Sequence, residues 1–252
     1  MLAFIITSCG KIIQNTFAQP DQESPVAEEQ NTPDQVIPET NPEPEDIVQE
    51  ELISLDFNND TAEELIAALS NLSSPIVGRR VTTAVGQLPN APRTYRNGVH
   101  EGLDYYDTTG KTVVAAARGK VIRVDHDYVE MTLEEYNEVK VLCQKAPITP
   151  EDLLDKLRGR QVWVEHENGV ITRYCHLSAI LPELQVGDMV QQGQALATVG
   201  SSGTLGNIDL NNTNPSVAPH LHFEIWHKNV FLGKNRPSTE VRKIYSGILD
   251  KK

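Results

Sequence analysis

Two clusters of polar residues, about 120 positions apart, carry side chains of the types that hold metal ions in hydrolytic sites. The first contains His100 and Asp104, and the second contains His220 and His222. His176 lies between them in the segment Tyr-Cys-His-Leu-Ser. A hydrolytic zinc site needs three protein ligands, from imidazole or carboxylate groups, and a position for water. The chain therefore offers three ligands for one zinc ion and two further imidazoles.

The spacing in the first cluster indicates how a strand would present these groups. Side chains two positions apart share one face of a strand. If residues 98–104 form a strand, His100, Gly102 and Asp104 point the same way. Gly102 would then leave an empty slot between two ligands, in which a metal ion can sit.

The same alternation applies to the other two segments. In the second cluster, three residues at alternate positions share a face: His220, His222 and Glu224. Tyr174 and His176 are also expected to share a face, with Cys175 turned away. A thiol on the opposite face is expected to be buried and structural rather than a nucleophile. Three other histidines lack ligand partners at useful spacing and are interpreted as surface or structural residues: His126, His166 and His227.

The elements that position these groups are mostly strands. Alternating apolar residues and turn signals predict strands in five stretches: residues 113–124, 161–174, 187–190, 193–200 and 220–226. Asn168-Gly169 is a strong hairpin signal within the second stretch. The sum predicts a mainly β fold, an antiparallel β-sheet or sandwich domain over residues 81–252.

Helices are predicted at two places. The capping box of Thr61 and Glu64 begins a short helix in a lead-in over residues 61–80. A helical hairpin is inserted between two strands at about residues 127–160. Its first helix runs from the capping box at Thr132 towards Lys145, and its second has a cap at Thr149 followed by an N1 proline. A packing role and a role at the rim of a substrate site both stay open.

Charge divides the chain into two parts. The net charge of −13 comes from 35 acidic and 22 basic residues. Residues 21–60 hold 13 of the acidic residues and no basic residue, so the remainder is balanced at 22 of each. Six prolines between residues 19 and 60 add to a composition that predicts an acidic, disordered tether. The balanced remainder has no basic stripe, which argues against nucleic-acid binding.

Residues 93–226 resemble the lysostaphin-type zinc endopeptidases, also called the LytM-domain or duplicated-hybrid-motif family. The resemblance covers just over half the chain and rests on six motifs: His-Glu-Gly-Leu-Asp at 100–104, Gly-Lys-Val at 119–121, Tyr-Cys-His-Leu-Ser at 174–178, Val-Gly-Asp-Met-Val-Gln-Gln-Gly-Gln at 186–194, Gly-Ser-Ser-Gly at 200–203 and His-Leu-His-Phe-Glu at 220–224. It implies a β-sheet groove with one Zn²⁺ at its floor and peptidoglycan peptides as substrate. The helical insertion and the Asn-rich loop over residues 201–219 depart from the family pattern.

The resemblance also implies roles for individual residues. His100, Asp104 and His222 are the implied zinc ligands, and His176 and His220 are the implied catalytic histidines. We favour His176 as general base and His220 as the group that stabilises the developing oxyanion, roles that the sequence does not separate. Outside the ligand set, Glu224 and Tyr174 are expected to support the site. For Glu224, a carboxylate on the rim is an equally good interpretation. Three residues upstream of the first cluster either line the groove or pack: Arg93, Tyr95 and Arg96.

Two other functions are compatible with parts of the pattern. Some proteins of this type lack ligands and act as non-catalytic regulators of other cell-wall hydrolases, but here the ligand set is complete. A barrel-sandwich module of an envelope adaptor would explain the Gly-Asp turn at residues 187–188. It would not explain the histidine clusters, and the turn lacks a lysine. The leading prediction is a zinc metallopeptidase that cleaves amide bonds in peptidoglycan stem peptides or cross-bridges.

The N-terminal residues resemble a lipoprotein signal. Ile-Thr-Ser-Cys at positions 6–9 is similar to a lipobox, which implies lipidation of Cys9 within a signal-like segment at residues 1–18. The basic residues that usually precede such a segment are missing, so a start upstream of Met1 stays open. We expect a monomer in the bacterial cell envelope, attached to the membrane by a lipid. Cys143 and Cys175 would either pair there or stay reduced and buried.

Overall fold

The computed structural model describes residues 54–251, except 213, 215 and 216. The predicted lipidation at Cys9, the signal-like segment and most of the acidic tether lie outside this range. Within it, no helix has both the length and the apolar character needed to cross a membrane.

Strands in the described part of the chain form one sheet of seven and one of three, and every pairing is antiparallel. The larger sheet contains, in spatial order, β1 (Leu103–Tyr106), β9 (His220–His227), β5 (Val170–Cys175), β4 (Val162–Glu165), β3 (Gly119–Val124) and β7 (Met189–Val190), with β10 (Val230–Phe231) also paired to β9. The smaller sheet contains β2 (Thr112–Val114), β8 (Ala195–Val199) and β6 (Leu177–Ile180). The predicted mainly β, antiparallel fold is confirmed.

Both sheets contribute to one apolar core. Tyr174 and Phe223 of the larger sheet belong to the same buried cluster as Leu196 and Val199 of the smaller one. Burying such side chains away from water is the main stabilising contribution to a fold of this kind. Because the larger sheet uses one face for this core, its other face is available for polar side chains.

Five α-helices are described: α1 (Ala62–Ala68), α2 (Leu133–Lys145), α3 (Glu151–Arg158), α4 (Leu205–Ile208) and α5 (Ser238–Leu249). Helix α5 was not predicted, although Val241, Ile244, Tyr245 and Ile248 have helical spacing and are fully buried. The capping boxes that begin α1 and α2 are both present as predicted.

The folded region begins before the predicted lead-in. Leu55 and Phe57, which we placed in the tether, are 6% and 2% exposed, and Phe57 packs against the ring of His227. Leu65 and Leu69 of the α1 segment lie in the same cluster as residues of α5. The tether boundary at residue 60 was therefore too late, because two apolar side chains in an acidic segment are enough to anchor it to the core.

The predicted hairpin and insertion are both present. Strands β4 and β5 pair directly, and Asn168 and Gly169 at the turn have φ of 63° and 71°. Helices α2 and α3 lie between β3 and β4, which are neighbours in the larger sheet. Helix α3 differs in one detail, because its N-cap is Pro150. Thr149 does not cap this helix, since its hydroxyl donates to the carbonyl of Asn97 at 2.8 Å.

Two strand predictions need correction. Residues 98–102 are not part of a strand, and β1 begins at Leu103. They form only an isolated bridge between Val99 and Pro92. Strands β2 and β3 exist as predicted from residues 113–124, but they lie in different sheets. The connection between them carries the chain from one layer to the other.

Candidate metal centre

Strand register places two of the predicted ligands next to each other. Asp104 on β1 pairs with His222 on β9, and Tyr106 pairs with His220. Residues paired directly across two strands have their side chains on the same face. These four side chains therefore lie on the face of the larger sheet opposite the apolar core. Asp104 and His222 are both buried, at 6% exposure each.

His100 reaches the same point from the segment before β1. Its backbone is fixed by two hydrogen bonds, from His100 N to Ala91 O at 2.8 Å and from Asn90 N to His100 O at 2.7 Å. Strand alternation does not place it, since its segment is not a strand. Gly102 is nevertheless required: a Cβ there would lie 2.7 Å from Phe223 O and 2.8 Å from Cε1 of His222. The predicted empty slot at Gly102 is thus occupied by the ring of a ligand.

The three candidate ligand atoms form a nearly equilateral triangle. His100 Nε2 lies 2.9 Å from His222 Nδ1 and 3.0 Å from Asp104 Oδ1, and the other two atoms are 3.0 Å apart. Donors about 2.0 Å from a tetrahedral zinc ion lie about 3.3 Å from one another. The separations therefore suit one ion of this size. Within the described residues, these three form the one group that could hold a metal.

Hydrogen bonds on the far side of each ring assign the tautomers. His100 Nδ1 lies 3.0 Å from the carbonyl of Leu88, so it carries the proton, and Nε2 presents a lone pair. His222 Nε2 lies 2.8 Å from Glu224 Oε1, which leaves the lone pair on Nδ1. Such bonds orient metal-binding imidazoles in many proteins. Two nitrogen lone pairs and a carboxylate oxygen converge, an arrangement that repels itself unless a cation binds there. The donor set therefore fits zinc.

The charges around this triangle favour a cation. Burial alone would raise the pKa of Asp104, but the neighbouring histidines hold it well below its usual value. Burial lowers the pKa of His100 to about 4. For His222, burial is outweighed by hydrogen bonds to Asp104 and Glu224, which raise its pKa to about 9. Positive charge is thus stabilised beside His222, whether a proton or a metal ion supplies it.

The two remaining histidines lie beside the ligand triangle, and each ring is also oriented by a hydrogen bond to a backbone carbonyl. His220 Nδ1 donates to Ala218 O at 2.8 Å, and His176 Nδ1 donates to Ser202 O at 2.8 Å. Each ring therefore presents the lone pair of Nε2. The ring centroids of His176 and His220 are 4.7 Å apart, and His220 Nε2 lies 3.8 Å from Asp104 Oδ1. The structure thus brings all five predicted site residues of the ligand and catalytic sets together.

Both of these histidines are held in the neutral form. Burial lowers the pKa of His176 well below its ordinary value, and the nearby imidazoles of His220 and His222 add to the effect. Burial also lowers the pKa of His220, but Asp104 acts in the opposite direction. Asp104 opposes burial at both rings, but only at His220 is it the strongest of the effects that raise the pKa.

His176 reaches the site through an unusual backbone conformation. Strand β5 ends at Cys175, and His176 has a φ of 61°, a region that few residues other than glycine adopt. The amide of His176 donates to Arg158 O at 2.9 Å, at the end of the inserted helix α3. Gly159, with φ of 67°, packs against Ser202, where a Cβ would lie 2.3 Å from the carbonyl oxygen. The insertion therefore helps to position the two backbone carbonyls that bond His176: Arg158 O accepts from its amide, and Ser202 O accepts from its Nδ1.

The faces predicted for the residues before His176 were wrong. Cys175 pairs with His222 and shares the face of the site, whereas Tyr174 pairs with Phe223 on the core face. The Tyr174 hydroxyl lies 2.8 Å from the amide of Ala116 and has no contact with the ligands. Tyr174 therefore does not support the metal centre. Cys175 is buried as expected, and burial raises the pKa of its thiol well above the ordinary value.

Glu224 contacts a candidate ligand, as expected for a residue that supports the site, and it does not lie on the rim. Its side chain is fully buried, and one oxygen, Oε1, is 2.8 Å from His222 Nε2 and 2.7 Å from Arg158 Nε. Oε2 accepts from Trp226 Nε1 at 2.5 Å, and Arg173 Nη1 lies 3.5 Å away. These cations and the His222 hydrogen bond hold the pKa of Glu224 well below its usual value, against the effect of burial.

Sequence reasoning did not identify Arg158 or Arg173 as part of the site. Arg158 Nη1 also lies 2.7 Å from Glu151, and Arg173 is stacked between Trp163 and Trp226, with its guanidinium carbon 3.8 Å and 4.4 Å from the ring centroids. Strand alternation could have placed Arg173 beside Glu224. No signal in the sequence connects Arg158 of the insertion to that carboxylate.

A cavity of about 490 Å³ lies over the metal centre. Arg93, Tyr95 and Arg96 line it, which decides between the two alternatives given for them. The insertion supplies Tyr136, Lys140, Leu154, Leu157 and Arg158, and the loop after β8 supplies Gly203, Thr204, Leu205, Asn214 and Val217. The inserted hairpin is therefore a wall of the site rather than a remote decoration.

The insertion and this loop form one packed unit. Apolar residues of α2 and α3, including Tyr136 and Leu157, share a second buried cluster against which Leu205 and Ile208 of α4 pack. The carboxylate of Glu130, just before α2, accepts from Gly203 N at 3.1 Å and from Asn207 Nδ2 at 2.7 Å. The two departures from the family pattern are thus a single structural feature.

The residues that were interpreted from the sequence as structural make structural contacts here or are buried. His166 is buried between the carbonyl of Arg118 and the hydroxyl of Thr172, at 2.9 and 2.8 Å. His126 is 2.7 Å from Leu184 O. Cys143 and Cys175 are free thiols, both buried.

The chain is similar in sequence to a known family of peptidases. The family model for peptidase family M23 matches residues 98–234. Peptidoglycan DD-endopeptidase ShyC from Vibrio cholerae is 28% identical over 162 residues, which are 63% of this chain and 28% of the relative. The chain thus spans less than a third of the length of that relative.

Two solved structures are similar to part of this chain. A zinc-containing peptidase from Vibrio cholerae is 24% identical, with a TM-score of 0.42 over 66% of this chain and 41% of the other. The catalytic domain of lysostaphin from Staphylococcus simulans is 20% identical, with a TM-score of 0.36 over 69% of this chain and 90% of the other. Since the family model covers more than half of its residues, the chain belongs to peptidase family M23.

Proposed function

We propose that this protein is a zinc-dependent endopeptidase that hydrolyses amide bonds in peptidoglycan stem peptides or cross-bridges. One observation carries the proposal: three lone-pair donors converge within 3.0 Å of one another, beside two further neutral imidazoles. Membership of family M23 supports it, as does similarity to a relative named as a peptidoglycan DD-endopeptidase.

His100, Asp104 and His222 would hold the ion. Zinc supplies Lewis-acid polarisation of a carbonyl group and lowers the pKa of a water molecule towards neutrality. The protein contributes a fixed donor set, because each ligand side chain is buried and both rings are oriented by hydrogen bonds on their far sides. Little reorganisation is then needed when substrate binds, which favours a high rate.

His176 and His220 would move the proton. Burial keeps His176 neutral, so its Nε2 remains an acceptor that can take a proton from the attacking water. Asp104, 3.8 Å from His220 Nε2, stabilises the protonated form of His220. His220 is therefore suited to stabilise the oxyanion or to deliver a proton to the leaving amine. This division of roles agrees with the one favoured from the sequence.

The complete donor set distinguishes this proposal from the alternatives. A regulator that only binds other hydrolases does not need three converging ligands or two histidines with fixed tautomers. An adaptor module built around the Gly-Asp turn at residues 187–188 does not need them either. No observation in the described part of the chain favours these two functions over hydrolysis.

The envelope location is a separate part of the proposal. A peptidoglycan substrate requires export, and lipidation at Cys9 would hold the protein at a membrane. Cys9 lies outside the described residues, so this part rests on the sequence pattern. Mass spectrometry of the membrane-extracted protein tests it, and an unmodified Cys9 would contradict it.

Digestion of purified peptidoglycan by the intact, zinc-loaded chain tests the activity. Mass analysis of the fragments identifies the bond that is cut. We expect new amino termini within stem peptides or cross-bridges and no cleavage of the glycan strands. The His220→Ala variant serves as the matched control, since it should bind zinc without turnover. A zinc-loaded protein that releases no peptide fragments would contradict the proposal.

A further inference from the structure

The inserted hairpin brings positive charge to the cavity over the metal centre. Four cationic residues line this cavity, and the two acidic ones are Glu101 and the ligand Asp104. The cations are Arg93, Arg96, Lys140 and Arg158. Two of them, Lys140 and Arg158, belong to the insertion. The lining therefore has a positive excess even before a metal ion is counted.

Three of these cations already have carboxylate partners. Arg96 Nη2 lies 2.6 Å from Glu101 Oε2, and Arg93 Nη2 lies 3.4 Å from Asp104 Oδ2. Arg158 is 2.7 Å from Glu224, which is fully buried. Their charges are thus largely neutralised by carboxylates of the protein itself.

Lys140 differs from the other three. Among the residues that the structure describes, no carboxylate oxygen lies within 4.0 Å of its ammonium group. Its Nζ lies 5.9 Å from the ring centroid of Tyr136, one turn earlier on α2. The side chain is half-buried at the cavity, so its charge is available to a ligand there.

The position of Lys140 relative to the opposite lining is fixed by hydrogen bonds. Asn97 Nδ2 donates to the carbonyls of Gln144 and Ala146, at 2.9 and 2.7 Å, at the end of α2. Thr149, which precedes α3, donates to Asn97 O at 2.8 Å. These bonds connect the insertion to the segment that carries Arg93, Tyr95 and Arg96. A ligand between the two therefore meets a preformed site.

We propose that Lys140 is a specificity-determining residue, whose ammonium binds a carboxylate of the peptide substrate in this cavity. The inference rests on the proposed function, and it names a feature that the substrate must have. A single ammonium group pairs with a carboxylate as a point charge, and partial burial strengthens that pairing relative to open water. Peptides with a free carboxylate close to the scissile bond are then preferred over amidated ones.

Kinetics on a matched substrate pair test this preference. The probes are a synthetic cross-linked stem-peptide dimer with free carboxylates and the same dimer with those groups as carboxamides. For the intact protein, we expect a KM about 5- to 20-fold lower for the carboxylate form, as one partly exposed charged hydrogen bond provides. Lys140→Met should abolish the difference with kcat little changed. Lys145→Met, which removes an exposed lysine from the same helix, is the control and should keep it.

A binding measurement separates this inference from the proposed function. Fluorescence anisotropy of the two labelled dimers reports affinity whether or not either is cleaved. If neither dimer is cleaved but the carboxylate form still binds more tightly, and Lys140→Met removes that preference, the proposed activity fails and the subsite stands. If Lys140→Met retains the preference in both assays, or the intact protein shows none, Lys140 does not recognise a carboxylate.

Discussion

Arg158 Nε lies 2.7 Å from the Glu224 oxygen that also accepts from His222 Nε2 at 2.8 Å. Arg158 is the last residue of α3, in the inserted hairpin, and His222 is a candidate zinc ligand on the central sheet. The insertion is therefore coupled to the metal centre through a single buried carboxylate. The backbone carbonyl of Arg158 also accepts from the amide of His176. One residue of the insertion therefore supports both a candidate ligand and a candidate catalytic histidine.

Replacing Arg158 by Gln should lower zinc affinity by about 10- to 100-fold, as loss of a hydrogen-bonded partner of a ligand commonly does. Glu224 would lose its closest cation, and the His222 ring would lose a fixed partner. Titration of the metal-free variant with zinc, in competition with a fluorescent chelator, measures the change.

Arg123→Gln is the matched control. Arg123 Nη1 also bonds a carboxylate of α3, Asp155, at 2.5 Å, but makes no contact with Glu224. Glu224→Gln keeps the shape of the side chain and tests the same contact from the other partner. It can be measured if Arg158→Gln does not fold. The coupling is refuted if both Arg158→Gln and Glu224→Gln bind zinc as tightly as the Arg123→Gln control.

The two histidines beside the ligands should be separable from metal binding. His176→Ala and His220→Ala are each expected to lower kcat by about 100- to 10,000-fold, the usual contribution of a positioned acid or base. Zinc content should stay near that of the unaltered protein, because neither residue belongs to the ligand triangle. Elemental analysis and peptide release from cell-wall sacculi provide the two readouts. Full activity in either variant would remove that residue from the mechanism.

Zinc affinity should weaken as the pH falls. Asp104 and Glu224 raise the pKa of His222 to about 9, so the metal-free protein carries a proton there at neutral pH. Zinc needs the neutral imidazole and must displace that proton, so the apparent affinity should fall about tenfold per pH unit below this pKa and level off above it. Competition titrations across that range measure the slope. An affinity that does not change between neutral pH and the pKa would contradict this linkage.

Protein stability should show a separate pH dependence through His166. Burial lowers the pKa of His166, which lies outside the metal centre between Arg118 O and Thr172 Oγ1. The unfolded chain binds a proton at this residue more readily than the folded one, so its contribution is complete above about pH 6.5 and is lost below it. The difference in unfolding free energy between the unaltered protein and His166→Gln should therefore narrow on acidification. Urea unfolding at neutral and acidic pH measures it, and a constant difference would show that His166 does not titrate in this way.

Short motifs nominated the candidate site residues, and the resemblance to the lysostaphin-type endopeptidases gave them their expected roles. The structure brings His100, Asp104 and His222 together, with His176 and His220 beside them. The hairpin at Asn168-Gly169 and the helices of the insertion were also predictable, because a turn or a cap specifies each locally.

The features that could not be predicted depend on contacts between distant segments. His176 enters the site because its backbone turns into a left-handed conformation held by Arg158 O, and no alternation rule describes that turn. Tyr174 and Cys175 were given the wrong faces for the same reason, since alternation was counted through His176. The contact between Arg158 and Glu224 joins positions 66 residues apart and leaves no pattern in the sequence.

Zinc stoichiometry is the measurement that tests the metal centre most directly. The intact protein, titrated with zinc after removal of bound metal, should bind one ion per chain through His100, Asp104 and His222. His100→Ala, Asp104→Ala and His222→Ala should each lose that tight site. If the intact protein takes up no zinc, or if all three variants bind it as the intact protein does, these side chains do not form a metal centre.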